Sequence, residues 1–177
     1  MKSILIIVLF ISSLLATRYE VDQNSSRVGF EIRHAVVAKV EGQFNEFSGL
    51  YDYDDQLHYF KSFHGEAKMA SVDTQEKYRD AHLRDKVFDV EHYPIMRLEM
   101  LRQNGSNFEG NLTIKGISKE VNLTIGRSLE VPKMFLLQGE ISRKDFNLTF
   151  SDMAELGGVA VGDRVTISVE FLGTPQQ

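Results

Sequence analysis

A period of two in hydrophobicity recurs along almost the whole chain, and it restricts the fold more than any other feature. Val28, Phe30 and Ile32 alternate with Gly29, Glu31 and Arg33, which places the two sets on opposite faces of a strand. The pattern returns at Phe63, Gly65, Ala67 and Met69, at Met96, Leu98 and Met100, and at Phe108, Gly110, Leu112 and Ile114. It returns again at Val121, Leu123 and Ile125, with Gly116 marking a hairpin before it, and at Val165, Ile167, Val169 and Phe171. Adding 37–42, 47–53 and 135–141 brings the expectation to eight or nine strands joined by short turns. Such a series implies a mainly β protein, a sandwich or a barrel. A single antiparallel eight-stranded barrel satisfies it best, because closure removes unpaired edges. One helix interrupts the series, expected over 75–86 near the barrel opening, with Asp73 or Thr74 as its cap and Tyr78, Ala81 and Leu83 on its apolar edge. Residues 143–162, with Gly157 and Gly158, are expected to be loop with at most one helical turn.

Residues 1–16 have the layout of a cleaved signal peptide. Lys2 is the positive end, Ile4 to Leu15 is interrupted only by Ser12 and Ser13, and Ala16 is a small cleavage position. Twelve helical residues rise roughly 18 Å, short of the roughly 20 residues a membrane span requires. The expectation is therefore export to the periplasm or exterior, with residues 17–177 as one domain and no integral span after cleavage. No cysteine is present, so neither disulfides nor thiolate metal sites are available. Lys and Arg number 20 against 25 Asp and Glu, a net charge of −5 that becomes −6 without Lys2. That balance argues against a nucleic-acid partner.

The inward set is rich in Phe and Met. Met suits surfaces that adapt to flexible apolar partners, and Gly29, Gly65 and Gly110 offer room among them. An eight-stranded barrel is either filled by side chains or holds one small ligand, and alternation alone leaves both open.

Several segments, in order and spacing, resemble the YceI-like family. They are Val28 to His34, Val40 to Phe44, Ala70 to Thr74, Arg79-Asp80-Ala81-His82-Leu83, Phe88-Asp89-Val90, Tyr93-Pro94, Gly110 to Lys119, Ser142 to Phe146, and Val161 to Val165. The resemblance implies a periplasmic or secreted lipocalin-like barrel whose apolar tunnel holds a polyisoprenoid, an isoprenoid quinone or a fatty amide, for transport or storage. The residues expected at the ligand are Phe30, Ile32, Phe44, Phe63, Met69, Met96, Leu98, Met100, Phe108, Leu112, Phe146 and Ile167. Arg79 and Asp80 are expected to hold the helix to the rim, with His34, His82 and Leu83 beside the opening. No cofactor is expected other than a bound isoprenoid or similar long-chain lipid. The competing expectation is a secreted, stress-related interaction module with a filled core. A homodimer is neither required nor excluded by the strand pattern.

The five histidines, His34, His58, His64, His82 and His92, show no His-x-His or His-Glu-x-x-His spacing, so no metal site is expected. Asp80 and His82, two apart in a helix, point to different faces and form no local acid–base pair. A nucleophile elbow, a phosphate loop and a cysteine nucleophile are all missing, so the chain is not expected to be an enzyme. Sequons stand at Asn24, Asn104, Asn111, Asn122 and Asn147, and all but Asn104 carry an acidic residue two positions earlier, the form that bacterial oligosaccharide transfer prefers. Alternation on a wet strand face also produces Asn111 with Thr113 and Asn122 with Thr124.

Overall fold

The structure, a computed structural model, describes residues 16–34, 38–150 and 161–176. The expected signal peptide, apart from Ala16, and residues 156–158 lie outside the described residues. The strands are β1 Thr17–Val21, β2 Arg27–His34, β3 Ala38–Phe44, β4 Phe47–Asp54, β5 Tyr59–Lys68 and β6 Val72–Asp73. They continue with β7 Ile95–Asn104, β8 Asn107–Ile114, β9 Ile117–Arg127, β10 Phe135–Ser142, β11 Val161–Phe171 and β12 Gly173–Pro175. All lie in one sheet of order β12-β1-β4-β5-β7-β8-β9-β10-β11-β2-β3-β6.

The sheet is mainly antiparallel β as expected, but it has twelve strands rather than eight. The strands not expected are β1, β6 and β12, of five, two and three residues, too short to carry a period of two. Between β3 and β4, Asn45 donates to Ser71 (3.1 Å) and Glu46 accepts from Lys68 (2.9 Å) through their backbones, so pairing continues past a local irregularity. Beyond β5, Met69–Ser71 forms a 3-10 turn before β6, which takes Met69 out of the strand expected to contain it. β1 lies against β12 and β4, while β2 lies against β11 and β3, so residues of 17–34 are flanked on both sides. The sheet curls into a barrel-like shape, because rings from strands far apart in its order meet inside. Phe171 of β11 reaches Tyr51 of β4 at 5.2 Å and Phe63 of β5 at 5.2 Å between ring centroids.

Those rings belong to a packed aromatic end. Tyr51, Phe60, Phe108 and Phe171 are fully buried, and Phe60 and Phe135 stack edge to face at 4.8 Å. Each such pair is worth about 0.5–1.5 kcal/mol beyond its area. Room for the rings comes partly from Gly110, where a Cβ would sit 2.7 Å from the Phe108 ring. Gly65 is likewise covered by the Phe63 ring at 3.1 Å. Gly29 and Gly65 line the interior space as expected, whereas the room at Gly110 is taken by the Phe108 ring, a correction to the expectation for that glycine. At the tip of the β8–β9 hairpin, Lys115 (φ 51°) and Gly116 (φ 73°) both have positive φ between the paired Ile114 and Ile117, as a two-residue type I′ turn requires.

The helix is shorter than expected and differently capped. α1 is Lys77–His82, and Leu83–Phe88 continues it as a π-helix that ends at Asp89 in the left-handed region (φ 54°). Glu76 caps α1, because the expected caps are engaged elsewhere: the Asp73 carboxylate accepts from Gln75 N (2.8 Å), and the Thr74 hydroxyl bonds to Asp80.

Phe171 is fully buried and its ring contacts Tyr51, Phe60, Phe63 and Phe135, so Phe171→Ala should cost about 3–5 kcal/mol. Urea unfolding followed by far-UV circular dichroism measures this, and a loss below about 1 kcal/mol contradicts the packing described.

Candidate functional site

Next to the aromatic end the interior is not filled. A cavity of about 900 Å³ lies between the curled sheet and the helical insertion. Its walls come from the inward positions of the alternating strands: Phe30 and Ile32 of β2, Phe44 of β3, Phe63 of β5, Met96 and Leu98 of β7, Leu112 of β8 and Ile167 of β11, with Met69 from the 3-10 turn. Phe63 and Phe171 also belong to the aromatic cluster, and their rings form the floor. Leu83, Val87 and Phe88 of the π-helix are buried and face the cavity from the opposite side. At the rim, His82 lies near-parallel to the Phe150 ring (6.4 Å, 13°), and the Arg143 guanidinium sits 5.3 Å from the same ring. Exposed Tyr78 and Lys86 are also part of the rim, so the cavity reaches the surface beside α1.

Three residues expected at the ligand do not line this space. Phe108 is wholly buried in the aromatic end, 5.7 Å from Phe63 in edge-to-face contact. Met100 stands on β7 just before the register shift and packs against the core. Phe146 is buried in the core from the 3-10 turn Arg143–Phe146. The physical reason is common to the two on strands: alternation assigns a face but not a height along the barrel. Wall residues not anticipated include Val40, Ile114 and Ile141, which share the alternation, and Phe88, Leu148 and Phe150, which sit on irregular backbone without a period.

The insertion is tied down at one residue, Thr74. Buried Asp80 accepts from Thr74 N (2.9 Å) and from its hydroxyl (2.6 Å). Arg79 donates Nε to the Thr74 hydroxyl (2.8 Å) and Nη2 to the Thr74 carbonyl (2.8 Å). A buried carboxylate is tolerated only when it is bonded in this way. The sequence offered Thr74 as a candidate cap of the helix; its role here is instead to hold Asp80 and Arg79. Arg79, His82 and Leu83 line the cavity, whereas Asp80 lies behind it. At the far end of the insertion, Lys115 Nζ donates to Val87 O (3.1 Å), fastening the π-helix to the β8–β9 hairpin. The side-chain role expected of His34 falls outside the described residues.

The Glu76 carboxylate accepts from Tyr78 N (2.9 Å) and Arg79 N (2.6 Å), and those backbone bonds hold it below the ordinary glutamate range. His64 lies between Glu66 (3.5 Å) and Glu99 (3.4 Å) on the outer face. Exposed His92 bonds Asp89 at 2.7 Å, which raises the histidine's pKa. Neither histidine faces the cavity. Among the described residues there is no cluster of three or more potential metal-ligating side chains, and no helix is long and apolar enough to cross a membrane. With walls of this kind the site can hold an apolar molecule by burial.

The sequence profile of the YceI-like domain matches residues 19–172. The UPF0312 protein plu2095 of Photorhabdus laumondii is 31% identical over 173 residues, covering 90% of this chain and 88% of the relative. Among solved structures, BcnA of Burkholderia cenocepacia superposes with a TM-score of 0.70 at 25% identity, covering 87% of this chain and 99% of that one. A polyisoprenoid binding domain from Saccharophagus degradans, implicated in plant cell wall breakdown, also reaches a TM-score of 0.70, at 15% identity, covering 92% and 99%. At that identity the likeness concerns the fold alone.

Two outcomes test the anchoring of the insertion. Thr74→Val keeps the shape but strips the hydroxyl from Asp80 and Arg79, so it should cost about 1–3 kcal/mol and raise amide exchange in α1 before the rest of the molecule. Glu76 acts in a defined pH window. A depressed folded pKa gives stability that is present above the unfolded-chain value, about 4.3, and is lost as pH falls through the folded value. Exchange protection of Tyr78 and Arg79 amides should therefore fall on acidification below that value, and Glu76→Gln should flatten the pH dependence.

Proposed function

The chain belongs to the YceI-like family, and from that premise we propose that it binds a long-chain apolar molecule outside the cytoplasm, for transport or storage. The ligand class is a polyisoprenoid, an isoprenoid quinone or a fatty amide. The observation that carries this reading is the cavity of about 900 Å³, walled by apolar side chains and floored by aromatic rings. Ligand sites commonly span about 300–1,000 Å³, and a volume of about 900 Å³ stands at the upper end of that range. Burial of each methylene contributes about 0.8 kcal/mol, so a long chain needs no polar anchor in the interior. Binding rather than catalysis is the activity proposed.

In this reading the twelve strands act as eight continuous runs, residues 17–34, 38–54, 59–73, 95–104, 107–114, 117–127, 135–142 and 161–175, closed into a barrel. The pairing of β1 and β2 on both of their sides supports closure. The layout of residues 1–16 supports export. The chain enters past α1 and the π-helix, its end resting on Phe63 and Phe171.

Native mass spectrometry of the full chain, followed by organic extraction, should reveal a bound long-chain lipid. Ile167→Trp narrows the cavity without adding charge and should reduce the extracted lipid while the thermal transition is retained. Phe30→Asp places a carboxylate in the wall and should empty the cavity or unfold the protein. A folded Phe30→Asp variant with its full lipid content, or wild-type protein that yields no lipid, overturns the proposal.

A further inference from the structure

The asparagines of this chain follow a pattern that the cavity does not explain. There are seven, and five of them, Asn24, Asn104, Asn111, Asn122 and Asn147, begin an Asn-X-Ser/Thr triplet. Ser and Thr together make up 21 of 177 residues, so chance placement gives fewer than one such triplet among seven asparagines. Four of the five also have Asp or Glu two positions earlier, although Asp and Glu are only 25 of the 177 residues.

The fold separates these sites. Asn111 and Asn122 lie within β8 and β9, where Asn111 pairs with Glu120 and Asn122 with Glu109. There a wet strand face accounts for the spacing of acid, amide and hydroxyl, since residues two apart share a face. It does not account for Asn24 and Asn147, which lie in turns. At Asn24 the flanking groups are already engaged: Asp22 accepts from Asn24 N (3.0 Å) and Ser25 Oγ (2.7 Å), and Ser26 Oγ accepts from Leu172 N (3.0 Å). Asn147 differs. It closes the 3-10 turn Arg143–Phe146 in the left-handed region (φ 52°), outside any strand. Asp145, Asn147 and Thr149 are all exposed, while the intervening Phe146 and Leu148 are buried. Acid, acceptor amide and hydroxyl are thus offered together to solvent on a segment that its own core anchors hold in place.

We propose that Asn147 is an N-glycosylation acceptor in the folded protein, with Asp145 and Thr149 as the residues a transferase reads, and that Asn24, Asn111 and Asn122 accept only before folding. The proposal rests on the extracytoplasmic placement argued above. In the transfer, a bond forms between the anomeric carbon of the sugar and Nδ2 of Asn147. The bond from that carbon to the diphosphate of a lipid-linked oligosaccharide breaks, the lipid diphosphate leaves with the electron pair, and the amide loses a proton to a base of the transferase. The glycan then stands beside Leu148 and Phe150, at the rim of the cavity.

The test uses purified, folded, full-length chain with a bacterial acid-requiring oligosaccharyltransferase and a polyprenyl-diphosphate-linked oligosaccharide. A short Asp-X-Asn-X-Thr peptide is the positive control, and products are read by intact mass and glycopeptide mapping. One added glycan is expected, mapping to Asn147. It should be lost in Asn147→Gln and in Asp145→Ala and return in Asp145→Glu. Urea-unfolded chain should gain further glycans at Asn24, Asn111 and Asn122. An unmodified folded protein beside a consumed control peptide overturns the proposal, as does a glycan that survives Asn147→Gln or Asp145→Ala. Lipid extraction is read separately: a glycosylated protein with an empty cavity rejects the ligand reading alone, and an unmodified protein with bound lipid rejects this one alone.

Discussion

The ring of Phe171 touches four others inside the molecule, Tyr51, Phe60, Phe63 and Phe135, at centroid separations of 5.2 to 6.0 Å. Phe135 is the direct partner of Phe171 across β10 and β11, but Tyr51, Phe60 and Phe63 come from β4 and β5, which do not adjoin β11, so their contact with it requires the sheet to curl. The curl creates an interior, and the rings that enforce it also fill one end of that interior. Beyond them the interior is walled by aliphatic and Met side chains together with Phe30, Phe44, Phe88 and Phe150. A packed core and a cavity are therefore produced by the same strands, divided by height. A filled interior describes the aromatic end and an open one describes the helical end.

The helical insertion is held differently. Where the aromatic end relies on burial, the insertion depends on a few directed bonds: Thr74 to Asp80 and Arg79 at its start, and Lys115 to the Val87 carbonyl near its end. Directed bonds fix the position of a segment that contributes Leu83, Val87 and Phe88 to the cavity wall without surrounding it by sheet. The π-helical geometry of 83–88 is a rare one that is frequent at functional sites. Here it carries the chain from α1 to the turn at Asp89 with all three apolar side chains buried.

Much of the architecture was legible in the chain itself. Nine strands were anticipated near their observed positions because one face of each is wet and the other dry. The short β1, β6 and β12 were not, since two to five residues carry too little pattern to be seen. The cap of α1 was misplaced for a different reason. Asp73, Thr74 and Glu76 all carry suitable oxygens, and only the spatial arrival of Asp80 and Arg79 at Thr74 decides which one remains for the helix. For the cavity wall, Phe30, Ile32, Phe44, Leu98 and Ile167 could be read from alternation, but Phe88, Leu148 and Phe150 come from irregular backbone, where no period exists to read.

The sequence by itself determined that strands with one apolar face would pair around a common interior, since a residue's neighbours two positions away share its face whatever the topology. It also determined the absence of disulfides and the acidic character of the surface. Only the tertiary structure decided which apolar residues fill space and which border it. Phe108 and Phe63 lie on equivalent inward faces, yet one is sealed among rings and the other floors a cavity. That outcome depends on how far along the barrel each strand registers against its neighbours, a property of pairing between distant segments rather than of any one of them.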